Sequence, residues 1–409
     1  MLSIKEKLGK YHTKPSGSPR SKEADASVVQ GEIVNTPYGG FILRSRSFPL
    51  TFDHGAELHQ FLRFNARDWM LLGKNTVLHN LTPHNVVVVD TETTGLAGGT
   101  GTLAFMIGTG EIEGDNIVIR QYFMRDFSDE PAVLQAIREN IGDKHAVISY
   151  NGKAYDFSIL RSRYILNRKP YPFEKQLHLD FLHTARRLWK GRVGQCTLQN
   201  LELNILRLQR QDDIPGWEIP QLYFEYLKSG DLSTMLPIFQ HNCIDILSLF
   251  SLLIRARDCF MPGTDVYPVY QGVIKTLHDL GFYRKADFVF DRVLAKAPGR
   301  SRANLYYEKS MNLKKIGNWS RAVKIWNQLI DEHQTDPRVY TELAKYYEHR
   351  SGDINKALQM VVRLEKRLEI LSELYDEDSL ALSREELLYR KQRLLRKGKK
   401  TGDDETLSP

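Results

Sequence analysis

Cysteine is scarce in this chain of 409 residues: Cys196, Cys243 and Cys259 are the only three. None stands at CxxC spacing, so the spacing supports neither a zinc site nor a disulfide framework, and the expected compartment is reducing and cytoplasmic. No stretch approaches the roughly 18 uninterrupted apolar residues of a membrane span, so no membrane partner is expected. The first residues, Met1 to about Ser27, lack an apolar core; Pro15, Gly17, Pro19 and scattered lysines there suggest a flexible basic tail over residues 1–28. The Gly-rich stretch from Gly95 to Thr102 lacks a Gly-Lys-Ser/Thr ending, which argues against a nucleoside-triphosphate loop. A hairpin loop that lets a substrate approach the backbone is expected instead.

The length allows two to three domains. A formal charge of +7 and a pI near 9.0 are compatible with a polyanionic partner. The most informative run is Val86-Val87-Val88-Val89-Asp90-Thr91-Glu92. Four successive valines fit a strand covered on both faces. The strand ends in two carboxylates spaced i, i+2, which an extended backbone points to one side. Two like charges at the end of an apolar strand are unfavourable unless a cation lies between them. A pair of divalent metals is the usual cation in enzymes that cleave phosphodiesters.

An α/β block extends from about Asn85 to Leu253. Strands are expected at 86–90, 102–108 and 116–123 as a meander, with another at 146–150. Helices are expected at 130–139, opened by Pro131, and at 156–163. Before the block, residues 29–84 read as an extension packing on it, with short β-type runs at 31–34 and 41–44 and a helix across 57–64. After Val266 the pattern turns helical and repeats. Gly281 and Ala286, Gly317 and Ala322, and Gly352 and Ala357 define units of 36 and 35 residues. Phe290 and Trp326 follow their alanines by four, and Pro298 and Pro337 close the first two units. Paired antiparallel helices have this signature, and residues 265–375 resemble tetratricopeptide repeats, whose concave surface implies a protein partner. Residues 376–409 read as a basic helical end, Glu385–Lys400, followed by a disordered tail.

Further carboxylates complete the pattern. Asp156 follows a turn at Asn151-Gly152, and Asp245 lies one helical turn from His241. Asp-Thr-Glu-Thr-Thr-Gly, then Asn-x4-Asp, then a late helix bearing an aspartate resembles the DEDD exonuclease superfamily, across about residues 85–255. The segments His178–Arg186 and Asp213-Ile214-Pro215-Gly216 extend the resemblance to the YprB-type ribonuclease H-like branch. The resemblance implies a ribonuclease H-like α/β fold, a mixed sheet flanked by helices, and 3′–5′ exonuclease activity with two Mg²⁺ or Mn²⁺ ions. Carried over residue by residue, Asp90, Glu92, Asp156 and Asp245 match the metal-binding carboxylates. Thr93, Thr94, Gly95 and Leu96 match the loop against the terminal nucleotide, and Asn151 and Tyr155 match positions supporting the third carboxylate. Asp180 takes a supporting role, and His178 and His183 are core or capping residues.

One departure stands out. Superfamily members carry a tyrosine four residues before the last aspartate or a histidine five before it; here His241 is four before, and Asn242 follows. A one-residue slip on a helix turns a side chain by about 100°. His241 is therefore the general base, a residue that positions water, or structural. The expected substrate is DNA or RNA, single-stranded or with a free 3′ end, along basic residues Lys153, Arg161, Arg163, Arg186, Arg187, Lys190 and Arg192. The alternative is a catalytically silent scaffold acting through its helical repeats; endonucleolytic action fits the same motifs.

Overall fold

The structure, a computed structural model, describes residues 25–95, 101–211, 213–332, 336–372 and 384–405. It divides into two compact units, Met1–Thr276 and Leu277–Pro409. The first is built on a seven-stranded mixed sheet: β1 (Glu32–Thr36), β2 (Gly39–Pro49), β3 (Val86–Thr93), β4 (Ala104–Glu113), β5 (Asn116–Phe123), β6 (Ala146–Ser149) and β7 (Leu177–Asp180). Their order across the sheet is β1-β2-β5-β4-β3-β6-β7. β3, β4 and β5 form the expected antiparallel meander. β6 lies parallel to β3 and β7 parallel to β6, a change of sense that requires crossover helices.

The 29–84 segment contributes more than an extension packed on the sheet. β2 pairs antiparallel with β5 from Ile42↔Phe123 to Pro49↔Asn116, and so covers an edge that would otherwise expose unpaired backbone. The helix expected across 57–64 is a 3-10 helix, Leu58–Arg63. It leads into α1 (Ala66–Gly73), which opens on a capping box between Asn65 and Asp68. β4 starts two residues later than expected and runs five further, its far half completing the hairpin with β5.

The remaining helices of this unit are α2 (Glu130–Ile141), α3 (Asp156–Leu166), α4 (Phe181–Val193), α5 (Leu198–Leu201) running into a π-helical turn Glu202–Leu206, α6 (Ile219–Ser229), α7 (Leu236–Asp258) and α8 (Tyr270–Asp279). The sheet is covered on both faces, as the four valines require. Val87 and Val89 pack with Leu134 and Ile137 of α2, Leu160 of α3 and Tyr223 of α6. The opposite face receives α7, which is long and apolar enough to cross a membrane, yet 72% of its apolar window is buried inside the unit. It is a core helix.

α7 approaches β4 closely because β4 presents glycines. A Cβ on Gly108 would stand 2.3 Å from Asn242 Oδ1, and one on Gly110 would stand 2.4 Å from Ile246 Cγ2. Gly108 pairs with Asp90 and Gly110 with Val88, so Asp90 shares the face that α7 covers.

The second unit is all-helical: α9 (Tyr283–Lys296), α10 (Gly299–Ile316), α11 (Trp319–Asp331), α12 (Pro337–Tyr346) with a π-helical turn Tyr347–Ser351, α13 (Ile354–Ser372) and α14 (Arg384–Glu405). The repeating residues occupy equivalent places. Gly281, Gly317 and Gly352 have φ of +75°, +84° and +73° at the turns before helices, a conformation glycine adopts without strain. Ala286, Ala322 and Ala357 are fully buried, as are Phe290 and Trp326.

At the ends, the expectation of disorder is corrected where residues are described. Ala26–Val29 form a 3-10 turn with Val29 buried, so the 1–28 segment is not a tail to its end. α14 continues through Glu405, into the residues expected to be disordered. Residues 1–24 and 406–409 lie outside the described residues, and so does Leu96.

Candidate active site

β3 delivers Asp90 and Glu92 to the end of the sheet, where its pairing with β4 shifts register between Glu92 and Thr93. Bulges of this kind re-aim side chains and are frequent beside active sites. Asp90 is fixed from α7: Asn242 Nδ2 donates to Asp90 Oδ2 at 2.8 Å. Asn242 is itself fully buried. Its Oδ1 accepts from Gln121 Nε2 at 2.9 Å, and Gln121 Oε1 accepts from Arg44 at 3.2 Å. Thus the N-terminal strand β2 and the central β5 both orient the first carboxylate.

Strand alternation decides where the remaining acids meet β3. Thr91, on the face opposite Asp90, donates its hydroxyl to Asp156 Oδ1 at the start of α3. Asp245, one turn along α7 from His241, is bound by the Arg210 guanidinium. Arg210 also donates from Nε and Nη2 to Glu202, 2.6 Å each, and from Nη1 to Asp213 Oδ2 at 3.1 Å. His241 Nδ1 lies 2.7 Å from Asp213 Oδ1, and its Nε2 lies 3.7 Å from Asp245 Oδ2. The i, i+4 spacing therefore does bring His241 and Asp245 together.

The electrostatics record crowded negative charge. Burial first, then the like charges of Asp245 and Asp156, hold the Asp90 carboxyl well above the usual carboxylate range, with Asn242 and Arg210 opposing. Burial and the charges of Asp90, Asp245, Asp156 and Asp213 do the same to Glu92. Burial pushes Asp156 up to about 6 against the Thr91 hydrogen bond. In donor chemistry the four carboxylates fit a hard divalent cation such as Mg²⁺ or Mn²⁺. As the side chains stand, they do not close on one point: Asp156 is turned to Thr91 and Asp245 to Arg210. Among the described residues, no group of three or more His, Cys, Asp or Glu side chains is gathered tightly enough to hold an ion.

The loop residues fall into two sets. Tyr155 stands at the N-terminus of the helix that Asp156 opens, and its hydroxyl donates to the Gly95 carbonyl and lies 3.2 Å from Thr93 Oγ1. Thr94 Oγ1 accepts from Leu103 N at 3.0 Å. The Thr93–Gly95 segment is therefore braced from both sides. Asn151 is exposed with φ of +61° and gives its amide to Asp180 Oδ1 at 2.9 Å. Asp180 also takes Lys153 N at 3.1 Å and caps α4 through Leu182 N at 3.1 Å, the supporting role expected of it. His178 bonds Ser149 at 2.8 Å, whereas His183 is exposed rather than core.

Three of the seven basic residues are spent internally. Arg163 pairs with Glu130, Arg161 with Glu174, and Arg187 bonds the Leu72 carbonyl. Lys153, Arg186, Lys190 and Arg192 are exposed. Arg210, Glu202, Gln121 and Asn242 belong to no sequence motif, because their roles depend on contacts across 8 to 152 residues of sequence.

Residues 87–257 match the model of the RNase_H superfamily designated RNase_H_2. The chain is also 28% identical over 363 residues to the uncharacterized protein YprB of Bacillus subtilis (strain 168), covering 87% of each chain. The chain therefore carries, over residues 87–257, an RNase H-like region on the mixed seven-stranded sheet, and an all-helical region follows it. RNase H-like folds are typically those of nucleases, which act on nucleic acid with divalent metal ions.

Proposed function

We propose that this chain is a metal-dependent nuclease that hydrolyses phosphodiester bonds of DNA or RNA, acting as a 3′–5′ exonuclease. The observation that carries the reading is the buried strand end where Asp90 and Glu92 lie under the mutual repulsion of Asp156 and Asp245. Two divalent cations, Mg²⁺ or Mn²⁺, would supply activation of a water and neutralisation of charge at the leaving oxygen. Asp90, Glu92, Asp156 and Asp245 are the residues that would hold them. Asp245 gives Oδ1 to Arg210 and keeps Oδ2 toward His241. His241 takes or orients the proton of the attacking water. Thr93, Thr94, Gly95 and Leu96 contact the terminal nucleotide, with Tyr155 bracing Gly95 and the exposed Asn151, held by Asp180, also facing substrate. The exposed Lys153, Arg186, Lys190 and Arg192 follow the phosphate backbone.

The helical repeats of the second unit serve as a tetratricopeptide-like surface for a protein partner. A cytoplasmic setting is part of the reading, since Cys196, Cys243 and Cys259 are all free thiols. The competing reading, a silent scaffold, draws on the Arg210–Asp245 pair, which neutralises one acid of the set without any metal.

Cleavage of end-labelled single-stranded DNA and RNA with Mn²⁺ or Mg²⁺ separates the two readings. A ladder of shortened products is expected, lost with EDTA and with Asp90→Ala while that variant melts no lower than the parent. Intact substrate in every lane would favour the scaffold.

A further inference from the structure

The segment between α5 and α6 brings a set of polar side chains to α7 that cation binding does not require. Glu202, buried in the π-helical turn, takes the Arg210 guanidinium on both oxygens. Arg210, so fixed, donates from Nη1 to Asp213 Oδ2, and Gln199 Nε2 donates to the same oxygen at 2.9 Å. With Oδ2 held by two donors, Oδ1 faces His241 Nδ1 at 2.7 Å. Arg210 Nη1 also lies near Nδ1, but at 3.4 Å. The shorter contact decides the ring. A carboxylate only accepts, so Nδ1 must carry the hydrogen; a bare Nδ1 would set two lone pairs against each other at 2.7 Å. In the neutral ring Nε2 is then the free acceptor, on the side of Asp245.

We propose that Asp213 is the positioning residue that holds His241 in the Nδ1–H tautomer and presents Nε2 to the attacking water, with Glu202, Arg210 and Gln199 fixing Asp213 in turn. Its effect on turnover rests on the nuclease reading above; the tautomer does not. In the reaction, Nε2 takes a proton from water as the water oxygen bonds to phosphorus. The bond from phosphorus to the leaving ester oxygen breaks, and that oxygen takes a proton from solvent. His241 then returns its proton to solvent, so one water is consumed per phosphodiester. Asp213 stays ionised throughout and stabilises the transient imidazolium. The same arrangement accounts for the histidine standing four residues before Asp245, because the ring is aimed from the 202–213 segment as well as from its own helix.

Long-range ¹H–¹⁵N correlation spectra of His241 in the full metal-free chain at pH 9 test this directly. The Nδ1–H form is expected; an Nε2–H ring in the wild type would overturn the proposal without any variant. In D213N, Arg210 and Gln199 retain the amide oxygen, so the amide nitrogen faces His241 and donates to Nδ1, moving the ring to Nε2–H. With Mn²⁺ present, D213N is expected to lower kcat at least about 100-fold. KM, and Mn²⁺ affinity by calorimetry, should change by less than about twofold. A D213N variant with kcat near wild type would also overturn it. If the wild type cleaves neither DNA nor RNA with either metal, the nuclease reading falls, while the spectra still decide what Asp213 does to His241.

Discussion

Asp90 shows how a single residue can weaken the fold that it equips. Its carboxyl is held well above the usual range because burial and two neighbouring acids oppose its ionisation, so at neutral pH the ionised form costs stability when no cation is bound. Asp90→Asn keeps an oxygen acceptor for Asn242 and removes the charge. It should stabilise the metal-free chain by on the order of 1 kcal/mol, read by thermal melting, while abolishing metal-dependent cleavage. A loss of stability would mean that the charge is satisfied from within. Asp245 is the opposite case, already paired with Arg210. Its spacing from His241 was legible in the sequence. The arginine that reaches it from 35 residues upstream was not, because nothing in local periodicity reports a contact made through a loop.

At the scale of elements, the contact of α7 with β4 carries the site. Asn242 reaches Asp90 only because Gly108 has no side chain. Gly108→Ala should cost about 1–3 kcal/mol in denaturant unfolding, the usual penalty of overpacking a closed core, and should release Asn242 from Asp90. The valine run and the i, i+2 acids predicted β3 correctly, and the glycine–alanine spacing predicted the helical turns, since each pattern is set by the period of its own element. The segment 57–64 failed as an α-helix because tertiary contact, Phe61 against Trp69 and Phe250, sets its short turns. In the second unit Glu348 lies buried beneath Arg393, Lys397 and Arg390 of α14. Burial raises its carboxyl, but the hydrogen bonds of Lys397 and Arg393 outweigh it, leaving the group below its usual 4.5. Glu348→Gln should loosen α14 by about 1–3 kcal/mol, seen as faster amide exchange over residues 384–398. The native chain should lose the same hold as pH falls below about 4.5.

For the molecule as a whole, two half-buried histidines make the first unit sensitive to acid. Burial brings His54 and His178 down from 6.5 to about 4, with Arg210 adding to the effect at His54 and Lys153 at His178. The unfolded chain therefore binds more protons than the folded one between these values. The rings alone should lose stability from about pH 6.5 toward pH 4, by at most on the order of 3 kcal/mol per ring. This loss is opposite in sign to the gain from the raised carboxyls of Asp90, Glu92 and Asp156, so the measurement is chemical denaturation of the parent against His54→Asn and His178→Asn across that range. A difference between parent and variants that does not change with pH would show that neither ring is neutral in the fold. The sequence by itself determined the two-part architecture, the covered strand and the identity of the acids, because apolar period, repeat length and motif order are properties of the chain taken locally. Only the tertiary structure decided that β1 and β2 join the sheet, that Thr91 takes Asp156 on the face opposite Asp90, and that Arg210 and Asp213 hold Asp245 and His241. Those outcomes depend on which surfaces meet when residues distant in sequence compete for one buried place.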